Sequence, residues 1–111
     1  MRQMNDPILS LLGMARRAGR VVLGANQAAQ TVERGKGFLV CMSGELSERT
    51  RRELTRVCEK GKVPLRELPY TIEELSASIG APAGTLTITD ENFAAGIRRK
   101  CDELDKGGNR L

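Results

Sequence analysis

Residues 20–42 read Arg20-Val21-Val22-Leu23-Gly24-Ala25-Asn26-Gln27-Ala28-Ala29-Gln30-Thr31-Val32-Glu33-Arg34-Gly35-Lys36-Gly37-Phe38-Leu39-Val40-Cys41-Met42, and this stretch decides the fold. Arg20 to Leu23 is a short strand candidate. From Gly24 the pattern changes period: Ala25, Ala28, Ala29 and Val32 recur at helical spacing, and Gly35 ends the run. Gln27, Gln30 and Arg34 share the opposite face of that helix. Phe38 to Met42 is continuously apolar, as expected of a strand covered on both sides. Strand, helix and strand within 23 residues point to an α/β architecture.

The flanking sequence extends the alternation. Asp6-Pro7 is an N-cap followed by proline at the first helical position, and Ile8, Leu11, Leu12 and Ala15 give an apolar stripe ending by Gly19. Ser47 caps a third helix to about Lys60, with Leu54, Val57 and Cys58 inward. Arg49, Arg52 and Arg56 form an outward row on it, with Glu48 and Glu53 among them, the pattern of a solvated face, with a second RNA contact as the alternative. Val63 to Leu68 reads as a strand, and Thr71-x-x-Glu74 is a capping box opening a helix to Ile79. Gly80 to Gly84 is a turn and Thr85 to Thr89 an alternating strand. Asp90 opens a last helix with Phe93, Ile97, Cys101 and Leu104 inward. Short connections predict a three-layer α/β/α sandwich around a four-stranded mixed sheet, mostly parallel. One domain is expected over residues 1–104, with a flexible tail at 105–111.

Composition narrows the function. Aromatic residues are only 3%, which argues against platforms that stack bases on exposed rings. Histidine is absent, so Ser-His and Cys-His pairs and histidine metal ligands are excluded. Neither a G-x-G-x-x-G fingerprint nor a P-loop occurs. No enzyme, cofactor, metal or small-molecule substrate is therefore expected. Cys41, Cys58 and Cys101 are widely spaced in apolar patterns and read as buried free thiols, which fits a reducing, cytoplasmic compartment. Asn5-Asp6-Pro7 interrupts any signal peptide, and no segment is long enough to span a bilayer.

Charge adds a direction. Residues 1–37 contain Arg2, Arg16, Arg17, Arg20, Arg34 and Lys36 against Asp6 and Glu33, and the remaining acids and bases cancel, so this segment carries the whole net +4. An anionic partner fits. Within the segment, Gly24 lets the backbone approach a ligand closely. The helix start offers unpaired N–H groups and a partial positive charge. Asn26 and Gln27 add donors and acceptors able to read a base edge.

These residues resemble the signature of the kink-turn RNA-binding ribosomal-protein superfamily, which includes archaeal L-seven-Ae and eukaryotic L-thirty-e types. That signature is G-x-N-E, a lysine three residues after the acid, and an E-R-G helix end. This chain reads Gly24-Ala25-Asn26-Gln27, Gln30, and Glu33-Arg34-Gly35. Residues 8–19 and the order of elements are similar to the bacterial YlxQ-like branch. The resemblance implies a monomeric binder of structured RNA, ribosomal or ribosome-associated, recognising bends built on sheared G·A pairs. Asn26 and Gln27 would be the base readers, with Gly24 and the helix start near the backbone and Arg34 on a phosphate. Leu68, Pro69 and Tyr70 would form a loop covering an extruded nucleotide. Gln27 in place of glutamate offers one acceptor oxygen instead of two, and Gln30 in place of lysine removes a phosphate-facing charge. Both departures imply weaker or differently targeted binding. A protein-interaction module of the same fold that has lost the RNA site is the alternative reading.

Overall fold

In the computed structural model, which describes residues 6–108, strands and helices alternate along the chain. The order is α1 (Pro7–Arg17), β1 (Val21–Leu23), α2 (Ala25–Glu33), β2 (Leu39–Ser43), α3 (Glu48–Gly61), β3 (Leu65–Leu68), α4 (Ile72–Ile79), β4 (Thr85–Ile88) and α5 (Glu91–Gly108). Arg2 and positions 109–111 of the expected tail lie outside the described residues. The helix runs on past Leu104 to Gly108. Leu104 is 46% exposed, not inward, because the last side chain of α5 to reach the core is Cys101, one turn earlier.

The four strands form one mixed sheet in the order β1-β4-β2-β3. Only β2 and β3 pair in parallel, with Val40 opposite Leu65. β4 lies antiparallel to both β1 and β2, with Leu86 opposite Leu23 on one side and Cys41 on the other. The expectation of a mostly parallel sheet is therefore corrected. Alternating helices and strands with short connections suggested parallel crossovers, whereas β4 inserts between the first two strands and runs the other way.

Helices cover both faces. Leu39 and Cys41 point into one core with Leu86 and Ile88, where Leu9 and Leu12 of α1, Leu75 of α4 and Ile97 of α5 close over them. Val40 and Met42 point the opposite way, against Ala28 and Val32 of α2 and Leu54 and Val57 of α3. This is the period-two alternation of a strand buried on both faces, and it explains why residues 38–42 show no polar break. Phe38 itself lies just before β2 and is 39% exposed. Thr85 and Thr87 are 2% and 0% exposed, on the central strand. Where α2 and α3 meet, a Cβ on Gly61 would stand 2.5 Å from Val32 Cγ1, so the glycine permits the close approach of the two helices.

Local sequence sets the helix starts. The Asp6 carboxylate accepts from the N–H groups of Ile8 and Leu9 at 2.9 and 3.2 Å. Ser47 Oγ accepts from Thr50 N, and Thr71 and Glu74 make a reciprocal capping box. Asp90 Oδ1 accepts from Phe93 N at 2.9 Å. Among the described residues no helix is long and apolar enough to cross a membrane.

Candidate nucleic-acid interface

Strand direction gathers the loops. β1, β2 and β3 run one way and β4 the other, so the segments after β1, β2 and β3 and before β4 meet at one end of the sheet. Open α/β sheets characteristically bind ligands at this end. Hydrogen bonds tie the segments into a row. Gly24 N donates to Thr85 O at 2.9 Å, and Ser43 N to Gly84 O at 3.0 Å. Ser43 Oγ donates to Tyr70 O at 2.8 Å and accepts from Glu45 N at 3.0 Å.

The start of α2 differs from its counterparts. Gly24 occupies the N-cap with φ 103° and ψ 151°, and no side chain caps the helix. The first N–H groups, those of Ala25, Asn26 and Gln27, have no acceptor within the helix, and no side chain among the described residues substitutes for one. With the helix dipole behind them they form an anion-seeking tip. Asn26, Gln27, Gln30 and Arg34 are all exposed. The Gln27 carboxamide folds back over the tip, so that a Cβ on Gly24 would stand 2.4 Å from Gln27 Oε1.

A groove of about 540 Å³ opens beside this tip, between α2 and α3. Asn26 lines it with Arg49, Arg52, Arg56 and Glu53. The arginine row of α3 thus faces the same space as the candidate reader. Arg52 stands 3.7 Å from Glu48, both side chains more than 70% exposed. Arg56 donates to both oxygens of Glu53, and this bond holds the Glu53 carboxyl below the usual carboxylate range. Arg49 has no carboxylate within ion-pair distance among the described residues.

Arg20, Arg34 and Lys36 stand elsewhere. Thr89 N donates to Arg20 O, and Phe38 N to Ile88 O, so Arg20 and the segment around Lys36 flank the far end of β4. Arg34 caps the C-terminus of α2, about 12 Å along the axis from Asn26. The structure therefore brings Gly24, Asn26 and Gln27 together, keeps Gln30 one turn further along the same exposed face, and sets Arg34 apart.

Leu68, Pro69 and Tyr70 lie at the same sheet end as Asn26 but at the end of β3, the opposite edge strand from β1, with the two edges roughly 14 Å apart. Leu68 and Tyr70 are 2% and 4% exposed. The Tyr70 hydroxyl donates to the Asp6 carboxylate at 2.7 Å, bracing the α1 cap. Only Pro69 of the three is exposed. The loop directly beside the α2 tip is instead the one before β4, with Ala81, exposed Pro82 and Gly84, joined to it by the Gly24–Thr85 bond. That adjacency depends on the position of β4 in the sheet, which no local sequence signal gives.

Burial raises the thiols of Cys41, Cys58 and Cys101, Cys58 to about 11. Among the described residues no group of three or more Cys, Asp or Glu side chains is placed to hold a metal ion.

Residues 6–97 match the model of the Ribosomal protein L7Ae/L30e/S12e/Gadd45 family. The RNA-binding protein YlxQ of Enterococcus faecium is 28% identical over 99 residues, covering 89% of this chain and 91% of the relative. The Bacillus subtilis (strain 168) protein of the same name is 32% identical over 85 residues, covering 76% and 84%. A solved protein of unknown function from Bacillus halodurans C superposes with a TM-score of 0.83 at 26% identity, over 86% of this chain and 96% of that one. The Giardia lamblia 15.5kD RNA binding protein has the same fold, with a TM-score of 0.71 at 18% identity over 96% of this chain and 91% of its own. With its model spanning most of the sequence, the chain belongs to the Ribosomal protein L7Ae/L30e/S12e/Gadd45 family, in the YlxQ-like branch.

Proposed function

We propose that this chain is a non-catalytic binder of structured RNA whose α2 tip reads paired purines in a bent duplex of the kink-turn type, in a ribosomal or ribosome-associated setting. The observation that carries the reading is the uncapped start of α2, where free N–H groups and two exposed carboxamides converge. The N–H groups of Ala25 to Gln27 suit a phosphate oxygen. Asn26 can both donate to and accept from a guanine edge. Gln27 supplies one acceptor oxygen once its side chain swings off Gly24. Ala81 and Pro82, beside the tip, are placed to pack on a base turned out of the stack. The names of the YlxQ relatives support the choice of RNA.

The test is an electrophoretic titration of the chain against a consensus kink-turn and a control with its G·A pairs disrupted. Tighter binding of the kink-turn is expected, and its preference should fall when Asn26 is replaced by alanine. Equal affinity for the two RNAs would refute base reading.

A further inference from the structure

We propose that the groove between α2 and α3 is a track for the RNA sugar–phosphate backbone leaving the α2 tip, with Arg49, Arg52 and Arg56 as its phosphate contacts. The proposal rests on the RNA-binding reading and extends it to a second surface. Four observations carry it. The groove is continuous with the tip, because Asn26 lines both. Arg49, Arg52 and Arg56 lie at i, i+3 and i+7 on α3, a row about 10.5 Å long. Each of the three guanidinium groups can neutralise one backbone phosphate.

The arginines are also available. Arg49, nearest the start of α3, makes no ion pair among the described residues and acts on the Glu53 carboxyl only through its field. The exposed Arg52–Glu48 pair contributes little in water and exchanges readily for a phosphate. Arg56 spends two of its five donors on Glu53 and keeps the rest. Finally, the purine-reading tip needs positive charge nearby, and Arg20, Arg34 and Lys36 stand at the other end of the sheet. α3 is the nearest source. Glu53 is the opposing charge in the groove, which gives the proposal a second sign to test.

The experiment is a fluorescence-anisotropy titration of the full chain with a kink-turn duplex and its G·A-disrupted control, from 50 to 200 mM salt. The wild type, R49Q/R52Q/R56Q, E53Q and Asn26→Ala are compared, with melting curves confirming that each folds. The triple variant should lower the slope of log affinity against log salt by about 2 to 3 units. Over that fourfold salt range the wild type should then lose roughly 20- to 40-fold more affinity than the variant. The ratio of affinities for the two RNAs should not change, because phosphates carry no base information. E53Q should tighten both complexes. Asn26→Ala should do the reverse of the triple variant, keeping the slope and losing the ratio. A triple variant with wild-type slope and affinity overturns the groove proposal while an intact Asn26 effect leaves the tip reading standing. A wild type that binds neither RNA brings down both. Equal wild-type affinity for the two RNAs with a slope loss in the triple variant refutes base reading alone and supports the groove.

Discussion

Replacing Gly24 by alanine tests the α2 tip at its most constrained atom. At φ 103° and ψ 151° the residue occupies backbone space that is essentially restricted to glycine, where a side chain costs about 1–3 kcal/mol. The new Cβ would also stand 2.4 Å from Gln27 Oε1. That oxygen is the end of a flexible side chain and can rotate away, so the backbone strain dominates the loss of stability. For a domain of this size about 4 °C of melting temperature accompanies each kcal/mol, giving a fall of about 4–12 °C. Gly19 is the matched control. It has φ 74° with nothing within 4 Å of an added Cβ, and its alanine variant should cost about 1–2 kcal/mol through left-handed backbone strain. The two variants separate in the binding assay. Gly24→Ala shifts the first N–H groups and displaces Gln27, and should weaken kink-turn binding about tenfold or more, whereas Gly19→Ala, between α1 and β1 at the far end of the sheet, should leave it unchanged. Thermal melting and electrophoretic titration of both variants suffice. A wild-type melting temperature for Gly24→Ala would refute the strained backbone. Full RNA affinity in a destabilised Gly24→Ala would refute the tip as the reading element.

Other consequences follow from buried polar atoms and thiols. Tyr70→Phe removes the hydroxyl that donates to the Asp6 carboxylate, so urea denaturation should show a loss of about 1.5–3 kcal/mol with the preference between RNAs intact. Thr87 Oγ1 is buried with no hydrogen-bond partner among the described residues, so Thr87→Val should be neutral or stabilising by about 1 kcal/mol in the same assay; a clear loss would reveal a partner for that oxygen. The three buried cysteines should resist a thiol reagent at pH 8 in the native state and react fully in urea. Burial raises the Cys58 thiol from the ordinary 9.0 to about 11, so the unfolded chain releases its proton first as pH rises. The associated stability is therefore complete below pH 9 and declines between about 9 and 11, which alkaline unfolding curves would detect.

What could be read from the sequence was what short-range chemistry determines. Asp6-Pro7, Ser47 and the Thr71–Glu74 box marked helix starts because a cap bonds to residues two or three positions away. The apolar run at 38–42 announced a strand covered on both faces, and Leu39 to Ser43 are all buried. Periodicity identifies a strand but carries no arrow, so the pattern of Thr85 to Ile88 could not reveal that β4 runs backwards between β1 and β2. From that placement follow the loop neighbouring Gly24 and the distance to Tyr70. Tyr70 looked like a loop residue, and its bond to Asp6, 64 positions away, has no local sign. The α3 row looked solvated because Glu48 and Glu53 accompany it; packing of α2 on α3 is what turns it toward Asn26.

The insertion of β4 also dictates when the sheet can be completed. β1 has no other partner among the strands, so Val21 to Leu23 must wait for Leu86 to Ile88 before a ladder bond can form on either side. A nascent chain released up to Ile79 can assemble the β2–α3–β3 unit, yet its first strand stays unpaired. Long sequence separation between mating strands slows folding, and an unsatisfied edge invites association during the delay. Chains truncated before Thr85 should therefore aggregate instead of forming a smaller stable core, and the rate-limiting event in refolding should be the docking of residues 85–88 into the gap already prepared for them.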